Sequence, residues 1–364
     1  MRKFDTMNTF FKDLKVVELA NVLAGPAVGM FFAELGAEVI KIENKSTNGD
    51  VTRSWKLPTE NTGSDISAYF SSINWNKKSI LCDLNNSDEK QKIYDLIKEA
   101  DVVISNYKPG DDKKLGMDYE TLKKINPKLI YANITGFGDD DPRTAYDLVL
   151  QAETGFMFMN GTVESGPIKM PVALIDVLAA HQLKEGILVA LIKKLKTGEG
   201  SKVSVSLYDS AIASLANQAS NWLMAGHNPQ PSGSLHPNIA PYGEIFISSD
   251  NKMIVLAIGN NKQFEKLCTL LELESAELST DFLTNTNRVK NRKLLFEILQ
   301  NKIKNISSEK LMNDFIKNDI PAGEIKSLKD VFENEKARSL ILSEKHPSGD
   351  VSKRVKTVAF SIKN

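Results

Sequence analysis

Cysteine is nearly missing from this sequence. Cys82 and Cys268 are the only two in 364 residues, too few for a disulfide framework or a cysteine-rich zinc site. Histidine is scarce as well, and His181, His227, His236 and His346 show no ligand spacing such as HExxH, so no metal is expected. Net charge is zero because 46 basic side chains balance 46 acidic ones. That removes the global electrostatic footprint of a nucleic-acid binder, and no nucleic-acid partner is expected. No apolar run approaches the ~20 residues of a membrane span, and Met1–Asp5 lacks the apolar stretch of a secretory signal. The expectation is a reduced, cytoplasmic protein with no membrane contact.

What is present is a composition with ample material to bury: 41% hydrophobic and 25% charged residues. At ~100–200 residues per domain the length predicts two domains, or one large α/β unit with an insertion. The first half alternates short β-branched runs with helical patterns. Strands are predicted at Lys15–Leu19, Glu38–Ile42, Ser79–Asp83, Asp101–Ser105 and Leu129–Ile134, with helices near 25–35, 88–100 and 119–125. Such alternation implies βαβ units and a mainly parallel, doubly wound sheet. A long helical pattern runs from Leu174 to Lys196 and stops at Thr197-Gly-Glu-Gly200. Val203–Leu207 reads as a strand and Tyr208–Met224 as a helix. The segment Gly226–Pro241, with Pro229, Pro231, Pro237 and Pro241, reads as a linker. Gly243–Ser248 and Met253–Ile258 then flank a hairpin turn, and helices follow to Asn318.

Two strand ends invite a nucleotide reading. Leu23-Ala-Gly-Pro-Ala-Val-Gly29 joins a strand to a helix and offers backbone N–H groups to a phosphate. Glu43 ends the second strand, where a dinucleotide fold places a ribose-binding acid. The glycine pattern is incomplete, however, since Gly25 and Gly29 do not make a full GxGxxG. A tight strand–helix turn with a solvated Glu43 accounts for the same residues.

A longer series is more specific. It comprises Val17-Glu-Leu-Ala-Asn-Val-Leu-Ala-Gly-Pro26, Leu35-Gly-Ala-Glu-Val-Ile-Lys-Ile-Glu43, Gly49–Trp55, Asn76-Lys-Lys-Ser-Ile80, Asn106-Tyr-Lys-Pro-Gly110 and Leu115–Glu120. Asn126–Tyr131, Thr135-Gly-Phe-Gly138, Ala145-Tyr-Asp147, Lys196–Gly200, His236-Pro-Asn-Ile-Ala-Pro-Tyr-Gly243 and Ile320-Pro-Ala-Gly-Glu324 continue it. Taken in order, these segments resemble the class III CoA-transferase family, the CaiB/BaiF group that also holds α-methylacyl-CoA racemases.

The resemblance implies an aspartate nucleophile, matched here by Asp176 in Pro171-Val-Ala-Leu-Ile-Asp-Val-Leu178. A carboxylate can carry an acyl group and then a CoA thiolate on one atom, which splits a difficult exchange into easier steps. From the local sequence alone, an acid near a helix start also serves as a cap or dipole partner. Tyr146 and Asp147 are placed beside the nucleophile, Tyr146 as an oxyanion donor or orienting group, or as an aromatic packed at a helix start. CoA or acyl-CoA, as substrate, is expected against Asn21, Val22, Ala24, Gly25, Asn44, Cys82, Asn85, Asn106, Tyr107, Lys114 and Leu115. Lys114 keeps a positive charge where the formyl-CoA branch has basic residues, whereas Asn44 and Asn85 do not. In Asp111-Asp-Lys-Lys114 it reads equally well as a solvated lysine.

Departures from the family narrow the chemistry. The racemase branch has a histidine where Tyr146 stands, so two-base α-proton exchange loses its partner. The formyl-CoA branch has a glutamine where Leu23 stands and a longer glycine-rich loop where His236–Gly243 lies. The shorter pattern is more similar to transferases of succinyl-CoA and dicarboxylic acids. The rival functions are a 2-methylacyl-CoA racemase or epimerase, a nicotinamide-dependent dehydrogenase, and a CoA-binding module without chemistry. No nicotinamide is expected. By resemblance the fold is α/β: a Rossmann-like large domain from residues 1–205 plus 326–364, a linker around 206–226, and a small α+β domain over 227–325. An interlocked homodimer is expected on the same ground. Either Asn160–Gly166 or 236–243 is expected to close over the reacting groups.

Overall fold

The computed structural model describes residues 9–273 and 280–362, which divide into two compact units. The first holds residues 9–157, 169–229 and 339–362, and the second holds 158–168, 230–273 and 280–338.

The first unit is built on six parallel strands: β1 (Lys15–Leu19), β2 (Glu38–Asn44), β3 (Lys78–Cys82), β4 (Val102–Ser105), β5 (Ile130–Thr135) and β6 (Ser201–Ser206). They lie in the order β3-β2-β1-β4-β5-β6, every neighbouring pair parallel. The sequence dictates coverage of both faces, because β4 and β5 are buried at every residue. Alternation sends Val16, Val102, Ile104, Ile130, Ala132 and Ile134 into one apolar cluster. Val17, Leu19, Val103 and Tyr131 enter another. The helices packed on the sheet include α1 (Ala24–Glu34), α2 (Ser87–Lys98), α3 (Tyr119–Ile125), α4 (Asp147–Glu153) and α5 (Leu174–Thr197). Residues of α1, α4 and α5 fill the first cluster, and residues of α2 and α3 the second.

Close contact of α1 with β1 depends on glycine. A Cβ on Gly25 would lie 2.3 Å from that of Ala20, and one on Gly29 would lie 1.9 Å from a Glu18 carboxylate oxygen. The 24-residue α5 ends at Gly198 in the left-handed conformation, its N–H bonded to Lys194 O. The helix expected at Tyr208–Met224 is two, Leu207–Ala213 and Ala216–Ala225. Ser210 and Ser214 hydroxyls there donate back to carbonyls four residues earlier, a pattern that bends and weakens a helix. A hairpin of Ile341–Lys345 and Val351–Val355 belongs to this unit. The residues just after it are fixed by the Glu34 carboxylate, which accepts the Thr357 and Val358 N–H groups and pairs with Arg354.

The second unit packs helices Asn261–Leu270, Arg292–Ile303 and Ser308–Lys317 on an antiparallel sheet. Its strands are Tyr242–Ile247, Met253–Ala257 and Ala322–Glu324, with the expected hairpin between the first two. Phe246, Leu256, Phe264, Leu267, Leu299 and Phe315 form its core. Arg288 is fully buried there and donates to Ala240 O, Phe282 O and Asn261 Oδ1. Among the described residues no helix is long and apolar enough to cross a membrane.

Candidate active site

In the first unit the strand order reverses about β1, which lies between β2 and β4. Ligands of open α/β sheets bind outside the carboxyl ends of strands at such a point. Asn21 and Asn106 follow β1 and β4 there and lock together. Asn106 Oδ1 accepts the Asn21 N–H at 3.0 Å, and its Nδ2 donates to Asn21 O at 2.8 Å. A cavity of about 180 Å³ opens at this edge, lined among others by Asn21, Val22, Ala24, Asn106, Tyr107, Tyr146 and Asp176. A second, of about 210 Å³, shares Asn21 and Tyr107 and adds Asn44, Cys82, Asn85 and Leu115. Most of the expected residues, scattered over 156 positions between Asn21 and Asp176, therefore meet at one sheet edge.

Asp176 sits in the first turn of α5 and is 8% exposed. It does not cap the helix, since no side chain of α5's own start makes a capping bond. Asp147, at the start of α4, does that work from outside. Its Oδ1 accepts the Ile175 N–H at 2.7 Å, and its Oδ2 accepts from Gln151 Nε2 at 2.6 Å. Asp147 is thus hydrogen-bonded at both oxygens, whereas no described group donates a hydrogen bond to Asp176. Burial, and after it the Asp147 charge, pushes the Asp176 carboxyl up to about 7. The two acids differ in burial and in donors: Asp147 is half-buried and doubly hydrogen-bonded, Asp176 is buried with no described donor.

Tyr146 precedes α4, is 56% exposed and forms part of the cavity wall rather than packing into the core. Gly25 lies beneath the wall, against Ala20, and lines neither cavity. Asn44 lines the second cavity while accepting the Ser46 N–H and hydroxyl. Asn85 bonds to Asp83, and Cys82 is buried with its thiol pushed up by that burial. Lys114 lines neither cavity. Its ammonium pairs with Asp111 at 2.7 Å with the side chain 78% exposed.

Three groups escaped the sequence reading. Lys108 and Arg143 line the first cavity; the Lys108 ammonium donates to the Thr144 hydroxyl at 2.6 Å, whereas the Arg143 guanidinium is paired with Asp141 and Glu153. Tyr69 lies close enough to feel Asp176, its hydroxyl being raised to about 12 by burial and then by the Asp176 and Asp147 charges. Lys108 lies within Asn106–Gly110 and Arg143 three residues before Tyr146, whereas Tyr69 carries no spacing signal, because only the folded chain brings it near. The ribose reading of Glu43 is answered directly. Arg53 donates to both carboxylate oxygens at 2.8 and 2.6 Å, and the Asp50 N–H occupies one of them as well. Burial by itself would raise that carboxyl, but hydrogen bonds from Arg53 and Ser79 and the Arg53 charge hold it at about 2. Glu43 is neither solvated nor free for a ribose. In the second unit, Arg292 donates to His236 O and Ile239 O, and Asn285 donates to Asn238 O, so the segment at 236–241 is pinned from several sides.

Fold and cavity define an α/β enzyme whose cleft lies at the carboxyl edge of a parallel sheet. The profile described as CoA-transferase family III matches residues 11–364, and the chain belongs to that family. It is similar to a succinate–glutarate CoA-transferase of Agrobacterium fabrum, 36% identical over 352 residues that cover 94% of this chain and 87% of the relative. It is also similar to the human succinyl-CoA:glutarate CoA-transferase, at 34% identity over 96% of this chain and 80% of that one. Among solved structures, a CaiB/BaiF family protein from Brucella suis superposes with a TM-score of 0.84 at 38% identity, over 96% of this chain and 92% of that one.

Proposed function

We propose that the protein moves coenzyme A from succinyl-CoA to a dicarboxylic acid through covalent intermediates on Asp176. The observation that carries the reading is the Asp176 carboxylate itself: buried, without a donor, and in the wall of the cavity formed by Asn21–Ala24. A largely buried carboxylate with no protein donor is a stronger nucleophile than a fully solvated one, and its carboxyl near 7 still ionises at neutral pH. Asp176 attacks the thioester carbonyl, the C–S bond breaks, and a mixed anhydride forms as CoA thiolate leaves. The thiolate then attacks the aspartyl carbonyl, releasing the donor acid and leaving an aspartyl-CoA thioester. The acceptor carboxylate runs both steps in reverse. Each tetrahedral intermediate carries an oxyanion, and one well-placed N–H donor is worth about 3 kcal/mol to it. No side chain caps α1 and its first turn holds no acid, which leaves the orphan N–H groups beside Ala24 free for that duty.

Succinyl-CoA as donor and a dicarboxylate as acceptor follow the relatives' names, glutarate in two and mesaconate in another. Lys108, which lines the cavity and has only the Thr144 hydroxyl as its described side-chain partner, supplies positive charge for the acid. A racemase is disfavoured because no histidine lines the cavity that holds Asp176. The strand order fits a Rossmann-like CoA-binding domain. Exposed Val189, Leu195, Trp222, Leu223 and Met224 on α5 and the helix Ala216–Ala225 fit burial in a homodimer. The two free, buried thiols fit a reducing compartment such as the cytoplasm. The test is an exchange assay with succinyl-CoA and a panel of dicarboxylates in deuterated water. Formation of the acceptor's CoA thioester without deuterium at the α-carbon supports transfer. Deuterium uptake without thioester exchange would replace the proposal with the racemase.

A further inference from the structure

Val22 stands in the cavity wall with φ of 71°, a left-handed conformation that is a genuine outlier for a β-branched side chain. Strain of this kind persists only where the surroundings over-determine it. Here they do, through three consecutive residues. Lys41 Nζ donates to Ala20 O at 2.6 Å, Asn106 brackets the Asn21 peptide from both sides, and Asp50 Oδ2 accepts the Val22 N–H at 3.2 Å.

Behind this clamp lies a buried chain of alternating charge. Asp50 pairs with Lys41 at 3.0 Å, Lys41 with Glu18 at 3.0 Å, and Glu18 with Lys77 at 2.7 Å. Lys41, Lys77, Glu18 and Asp50 all have side chains shut off from solvent, and Lys77 also reaches Pro26 O and Asn74 Oδ1. The other Asp50 oxygen accepts the Thr52 N–H and hydroxyl, and the Asp50 N–H is fixed by Glu43. Gly29 leaves the space that the Glu18 carboxylate fills. Such a chain is a poor source of stability, because dehydrating its four charges consumes what their attraction returns. What it supplies is one fixed geometry, and that geometry ends on the backbone that lines the cavity with Asp176.

We propose that Asp50, paired with Lys41, is a positioning residue for group transfer: it keeps Val22 left-handed and so fixes the backbone of Asn21–Ala24 at the cavity that holds Asp176. The inference rests on Asp176 being the nucleophile. Loss of the clamp lets Val22 relax to negative φ and moves the N–H groups that meet the oxyanion, which lowers turnover more than binding.

The test compares wild type, Asp50→Asn and Asp50→Asn/Val22→Gly in kcat, KM for succinyl-CoA, thermal unfolding, and the rate at which acyl-CoA labels Asp176. Asp50→Asn is expected to lower kcat and the labelling rate roughly 10- to 100-fold, with KM changed less than about threefold. Val22→Gly in the same background is expected to recover roughly 5- to 10-fold of that loss, since glycine adopts this φ without strain. Should Asp50→Asn fail to fold, Asp50→Asn/Lys41→Met removes both charges together and carries the same comparison. A folded variant with wild-type kcat and labelling rate overturns the positioning role, as does the absence of any recovery by glycine. Failure to label Asp176 in wild type overturns the nucleophile instead, a distinct result.

Discussion

Asp176→Asn keeps the shape of the side chain and removes its charge, so it separates what the carboxylate does for the reaction from what it does to the fold. In the folded state the carboxyl is raised from 3.8 to about 7. Well below pH 3.8 the group is protonated in folded and unfolded chains alike, and its ionisation contributes nothing. As pH rises toward 7 the unfolded chain ionises freely while the folded one resists, so stability is lost across that interval and the loss is complete above 7. A rise of this size corresponds to at most about 4 kcal/mol, at about 1.4 kcal/mol per pH unit. Solvent relaxation around the charge reduces the expected gain to about 2 kcal/mol. Asp176→Asn should therefore unfold about 4–8 °C higher than wild type at pH 8, keep only a small part of that gain at pH 4, and show no transfer. Thermal scans at both values decide the matter. A variant no more stable than wild type at pH 8, or equally stabilised at both, would refute the claim that a dehydrated charge sits at this position.

Other outcomes follow from the same geometry. With Asp176 reacting as the anion, kcat/KM for acyl-CoA should rise with pH to a plateau, its acid limb centred near 7. Asp147→Asn keeps an acceptor for the Ile175 N–H and removes the neighbouring charge, so it should shift that limb toward lower pH; an unmoved limb would show that Asp147 does not act on the nucleophile. Gly29→Ala drives a methyl into the Glu18 carboxylate and should cost about 1–3 kcal/mol, read by urea unfolding. Wild-type stability in that variant would mean that α1 does not hold β1 as closely as described.

The parallel sheet was readable because its strands are short, continuous apolar runs between helical patterns, as at Val102–Ser105 and Ile130–Thr135. Periodicity likewise located α5, whose apolar pattern and terminal glycine are both local features. The break between Ala213 and Ala216 was hidden, because no glycine or proline marks it: Ala216 itself takes a left-handed φ of 49°, and the Ser210 and Ser214 hydroxyls bond back to the helix before it. At the site, resemblance pointed to Asp176, but composition and spacing could not separate a nucleophile from a helix cap. The distinction lies in where donors fall: Asp147 receives two, and Asp176 none among the described residues. Gly25 and Gly29 suggested phosphate binding, whereas their hydrogens make room for Ala20 and Glu18. Glu43 read as a surface or ribose acid because its partner Arg53 lies ten residues away, across a loop that sequence does not fold.

The central claim is that Asp176 becomes covalently linked during transfer. Its most direct test is intact-mass spectrometry after incubation with succinyl-CoA, followed by hydroxylamine trapping and peptide mapping, on wild type and Asp176→Ala. The account predicts a CoA-sized or hydroxamate adduct on the peptide containing Asp176 and none in the variant. Turnover of succinyl-CoA and acceptor with no adduct at Asp176, or an adduct that persists in Asp176→Ala, would contradict it.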